Sequence, residues 1–87
     1  MKFNAWSKAR IRNGTKTLTS RKMRYSDPAV YCSFGPFPWW FIKRFLYRDE
    51  GAESPEELQW VINQIFRRTV GDHEMFYVHV LEPNFEV

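Results

Sequence analysis

Cysteine is nearly absent from this chain: Cys32 is the only one among 87 residues. A single thiol rules out an internal disulfide framework and fits a reducing interior, so a cytoplasmic location is expected, with Cys32 acting as a small hydrophobe. Long apolar runs are missing too. The longest, Phe37 to Ile42, falls far short of the roughly 20 residues a membrane-crossing helix needs, and no membrane partner is expected. Met1 to Trp6 lacks the apolar centre of a secretory signal. There is neither a Walker loop nor a dinucleotide-binding glycine fingerprint. His73 and His79 have no cysteine or acid at metal-ligand spacing, so no metal and no other cofactor is expected. His79 alternates with core valines and reads as a histidine on a strand surface. Ser33 and the two histidines give little support to Ser-His-Asp catalysis.

Acid is also lacking from the first third. Before Asp27 the chain carries Lys2, Lys8, Arg10, Arg12, Lys16, Arg21, Lys22 and Arg24 with no acid among them, whereas from Asp49 onward acids dominate. This asymmetry sits beneath a formal net charge of only +3. A basic third points to an anionic partner, nucleic acid being the commonest. The alternative is that the acidic and basic parts face one another in the fold.

Aromatic residues are plentiful: eight Phe, four Trp and four Tyr. A chain of this length buries a modest share of its surface, and large rings help to complete one small core. Residues 1–87 are therefore read as a single domain with no internal repeat. Asn4 caps a helix over Ala5–Asn13, with Ala5, Ala9 and Trp6 inward and Lys8, Arg10 and Arg12 outward. Asn13-Gly14 ends it, and a Thr-rich strand runs over Lys16–Arg21. A second strand is expected over Ala29–Phe34, then a nearly all-apolar helix over Trp39–Arg48 that begins just after Pro38. Ser54-Pro55-Glu56-Glu57 starts a further helix with a capping box, and Leu58, Val61, Ile62, Ile65 and Phe66 form its core stripe. Met75–Leu81 alternates as a half-buried strand, and a very short strand is expected at Phe3.

The stretch Gly14-Thr-Lys16-Thr-Leu-Thr19-Ser-Arg21 concentrates turn, hydroxyl and cationic residues in eight positions. Its G-x-K-x-x-x-x-R pattern resembles the signature of the ASCH domain, a branch of the PUA-like superfamily. The resemblance extends to "ARIRNGTKTLTSR", to "DEGAESPEELQWVINQIF" and to "MFYVHVLEP", three blocks in the family's order. It departs from the family over Lys22–Tyr47, where a compact basic and aromatic segment replaces a longer strand pair. The resemblance implies an α+β fold, a small PUA-like β-barrel with two or three flanking helices, and a cleft for RNA or a modified nucleoside. One branch of the family consists of small bacterial amidohydrolases that deacetylate N(4)-acetylcytidine with a lysine, a threonine and a glutamate. Lys16 and Thr19 fall on the matching positions, and Glu50 takes the place of the acid after a one-residue shift against the Ser54 helix.

Three functional readings follow. As an RNA- or nucleoside-binding module, the chain would use Gly14, Lys16, Arg21, Lys22 and Arg24 at a basic cleft, with Trp39, Trp40 or Tyr25 stacking on an unpaired base. As an amidohydrolase it would use Lys16, Thr19 and Glu50 as catalytic residues, with Lys16 desolvated beside Arg21. As an interaction protein it would form a homodimer through Trp39–Tyr47. The enzymatic reading carries a geometric condition. On a regular strand Thr17, Thr19 and Arg21 share one face and Lys16 the other, so Lys16 must sit in the turn before the strand or beside a bulge.

Overall fold

The computed structural model describes residues 1–87. The first helix, α1 (Ala5–Arg12), starts where the Asn4 side chain accepts the Ser7 N–H at 2.8 Å and stops at Asn13 and Gly14, the latter at φ 83°. Its inner side differs from the expected one. Ala5 and Ala9 are exposed, while Ser7 is buried and Trp6 and Arg10 are half-buried. Arg10 turns inward because its guanidinium lies 4.0 Å from the Trp6 ring centre and its Nε donates to the Gly51 carbonyl at 2.9 Å. An arginine stem packs well on apolar surface when its head group finds such partners.

Three strands follow, β1 (Leu18–Arg21), β2 (Val30–Pro38) and, after two helices, β3 (Met75–Leu81). They form one antiparallel sheet in the order β1-β3-β2. The fold is thus α+β, as expected, but the sheet is open: no further strand joins β1 to β2 into a barrel. β1 has only four residues and uses just one edge for β3, and the chain from Lys22 to Ala29 forms no strand. No strand forms at Phe3 either. β2 runs past its expected end at Phe34, shifting register between Phe34 and Phe37, where Gly35 takes φ 117°. That conformation, with Phe37 N and the Phe76 carbonyl 3.1 Å from any added Cβ, demands glycine.

Pro38 leads into α2 (Trp39–Phe45), shorter than expected. The chain then folds into tight turns through Asp49 and Glu50 before α3 (Pro55–Phe66). Ser54 caps α3 by accepting the Glu57 N–H at 3.0 Å. Glu57 in return accepts the N–H of Glu53, one residue outside the expected box. The core joins α2, α3 and the sheet: Trp39, Ile42, Ala52, Leu58, Ile62, Val70, Phe76 and Val78. Trp39 is fully buried, 5.3 Å from Phe76 between ring centres, and its indole N–H reaches Gln59 Oε1 at 2.8 Å. Ile65, expected in the core stripe, is 51% exposed.

Candidate functional site

The free edge of β1 is where the site forms. Thr17 and Leu18 both donate their N–H groups to the Asp49 carbonyl, at 2.8 and 3.0 Å, and Lys16 and Glu50 form a single bridge pair just ahead of the strand. Lys16 therefore lies before the regular strand, as the enzymatic reading requires. Gly51 permits the approach: at φ 98°, its position would bring an added Cβ to 3.0 Å from Lys16 Cβ and 3.1 Å from Arg10 Cδ.

Lys16 and Glu50 are both buried, and the amine of one meets the carboxylate of the other at 2.9 Å. Lys16 Nζ also donates to the Leu18 carbonyl at 2.8 Å and to the Glu50 carbonyl at 3.1 Å. These are three acceptors for the three N–H donors of an ammonium. Its partners are thus those of a cation rather than of a neutral base. The second carboxylate oxygen of Glu50 accepts the hydroxyl of Ser20. No fully buried side-chain polar atom in the chain lacks a partner.

Strand parity accounts for Ser20. Residues opposite one another in an antiparallel pair lie on the same face. Ser20 stands opposite Val78, a core residue, and Thr19 opposite His79. Lys16 and Ser20, four positions apart, both reach Glu50, while Thr19 lies on the other side of the strand. The Thr19 side chain is buried, yet its hydroxyl makes no hydrogen bond with the chain, so it retains a small access to open space. The sequence pattern singled out Thr19 and overlooked Ser20, although counting by twos from Lys16 reaches Ser20.

These groups line one cavity of about 400 Å3, within the approximate 300–1,000 Å3 range of small-molecule sites. Lys16, Thr19, Ser20, Arg21 and Glu50 supply its polar part. Leu58, Val61, Ile62, Ile65 and Phe66 of α3, with Phe3, Trp6, Met23 and Tyr25, supply an apolar wall. Ile65 thus serves the cavity rather than the core. Arg21 bonds the Lys2 carbonyl at 2.7 Å and lies near the Phe3 and Tyr25 rings. Burial lowers its guanidinium from the ordinary value, opposed by Tyr25, Glu50 and Asp27.

The other expected binding residues are distributed differently. Lys22 borders the cavity, but its amine pairs with Glu74 at 2.9 Å. Gly14, Arg24 and Trp40 lie outside the lining; Trp40 is exposed and Arg24 sits over Tyr77 at 5.2 Å. Trp39 touches the cavity but, wholly enclosed and bonded to Gln59, offers no ring face for stacking. Among the remaining bases, Arg10 is held by Gly51.

His79, expected on a strand surface, is fully buried. The Tyr25 N–H donates to its Nε2 at 2.9 Å, so the ring hydrogen sits on Nδ1, facing the Thr19 carbonyl at 3.3 Å. The irregular segment carrying Tyr25 covers that face of the sheet, which strand alternation alone does not reveal. Burial lowers the His79 pKa, helped by Arg21 and Arg24 and opposed by its backbone hydrogen bonds with Thr19 and Tyr77. No three His, Cys, Asp or Glu side chains are placed together so as to hold a metal ion. Comparison with protein-family models, with curated proteins and with solved structures finds no match.

Proposed function

We propose that this cavity binds a small N-acylated nucleoside and hydrolyses its amide, as an open-sheeted relative of the ASCH and PUA-like domains. The observation that carries the reading is a buried Lys16–Glu50 pair, with the Ser20 hydroxyl bonded to its carboxylate, in the lining of a mostly apolar cavity. An uncharged base or acyl group fits the apolar wall, while amide cleavage needs a hydroxyl nucleophile, a carboxylate to move its proton and positive charge for the developing oxyanion. The ASCH-like pattern assigns that chemistry to Lys16, Thr19 and Glu50. Purified protein incubated with N(4)-acetylcytidine should release cytidine, read by mass spectrometry. Lys16→Ala and Glu50→Gln should reduce that release at least about a hundredfold, the lower end expected for losing a positioned acid-base or electrostatic group. Unchanged turnover in either variant, or none in the unaltered protein, would refute the reading.

RNA binding through a basic cleft has weaker support. Lys16 places all three of its donors, and Lys22, Arg10 and Arg21 at least one each, on partners within the chain.

A further inference from the structure

We propose that Ser20, rather than Thr19, is the nucleophile of this site. The inference rests on the hydrolytic reading above and changes which atom becomes acylated. A hydroxyl becomes nucleophilic when a base lies within hydrogen-bond reach and a third group holds that base in place. Ser20 Oγ donates to one oxygen of Glu50, and Lys16 occupies the other at 2.9 Å. Both Ser20 and Glu50 line the cavity. Thr19 has no such base. The ring across from it, His79, has Nε2 engaged by the Tyr25 N–H and directs Nδ1 at the Thr19 carbonyl rather than at its hydroxyl.

The steps balance without a co-reactant other than water. Ser20 Oγ attacks the amide carbonyl carbon, and its proton passes to Glu50 Oε2. Lys16, which lines the cavity with its three N–H groups on internal acceptors, contributes its charge rather than a hydrogen bond to the resulting oxyanion. Collapse breaks the C–N bond, and Glu50 returns the proton to the departing amine, leaving an acyl ester on Ser20. Water then attacks the ester, Glu50 takes its proton, and the serine departs with that proton as the carboxylic acid leaves. Lys16, bonded to the other carboxylate oxygen, holds Glu50 in place beside the serine.

The test uses p-nitrophenyl acetate, an activated ester that needs neither nucleoside recognition nor a protonated leaving group. The full chain is quenched after brief exposure, digested, and mapped by mass spectrometry for acetyl groups removable by hydroxylamine, which separates esters from acetylated lysines. An acetyl ester should appear on Ser20 in the unaltered chain and in Thr19→Ala, and no ester should form in Ser20→Ala. An ester on Thr19, or no ester in the unaltered chain, overturns the proposal. With N(4)-acetylcytidine, Ser20→Ala should lose about a thousandfold or more in kcat/KM and Thr19→Ala less than about tenfold, the gap expected between a nucleophile and a neighbour. The reverse order also overturns it. Acylation of Ser20 without turnover of N(4)-acetylcytidine would refute the nucleoside reading and leave the nucleophile assigned.

Discussion

Lys16 has three N–H donors, and the fold supplies three acceptors within 3.1 Å, two of them from Glu50. With both partners almost wholly buried, neither charge can be removed alone without leaving the other unpaired. Lys16→Met should therefore cost about 3–5 kcal/mol of stability, read as a lowered urea midpoint. A loss below about 1 kcal/mol, the range of exposed pairs, would show that the pair is not held as a buried one. His79 gives a second expectation at this scale. Its pKa is depressed in the fold, so the unfolded chain binds more protons and stability falls as pH drops below the ordinary histidine value of about 6.5 toward the lowered one. Thermal unfolding scans should show the melting temperature declining through that window, with His79→Phe flattening the decline. A profile unchanged by His79→Phe would mean that the ring is not sealed beneath Tyr25.

At the scale of elements, the residue pattern was enough to place a half-buried β3, whose bounds are those expected, and a Thr-rich β1 that proves two residues shorter, but not to pair them. The capping serine and proline of α3 were equally legible, because the signal is local. Burial of His79 was not, since it depends on an irregular segment distant in the chain. Nor was the inward turn of Arg10, which relies on Trp6 one turn earlier and on the Gly51 carbonyl. The ends of α2 and the contact between Asp49–Gly51 and β1 likewise come from tertiary packing. Glu50 was reached through a resemblance, and the structure sets it against Lys16. Gly51 is the element-scale test of that contact. Gly51→Ala combines an unfavourable positive φ with a Cβ crowded against Lys16 and Arg10. It should lower stability by at least about 1 kcal/mol and impair turnover more than the stability loss explains. A variant as stable and active as the original would mean that the turn does not set the Lys16–Glu50 geometry.

Taken whole, the molecule pairs Arg10, Lys16 and Lys22 of its basic third with its own acids. Lys16 answers Glu50, Lys22 and Arg68 answer Glu74, and the amino terminus answers Asp27 at 2.8 Å. Glu74 is accordingly held well below the usual carboxylate range, chiefly by Arg68, then by the Gly71 N–H and Lys22. The charge asymmetry visible in the sequence is thus partly one of acidic and basic segments meeting, and it says less about nucleic acid than it suggested. A chain that bound RNA through all eight N-terminal bases would show a steep salt slope, roughly 0.7 per neutralised phosphate for single strands. With several of those bases engaged, single-stranded RNA should bind weakly with a shallow slope in filter-binding titrations. Tight, strongly salt-dependent binding would favour the nucleic-acid reading instead.

The most direct measurement is the time course of cytidine release from N(4)-acetylcytidine by the unaltered chain and by Glu50→Gln, each confirmed folded by circular dichroism. The buried carboxylate account predicts steady release by the first and near-complete loss in the second. Equal release from both, or none from a folded unaltered chain, would contradict it.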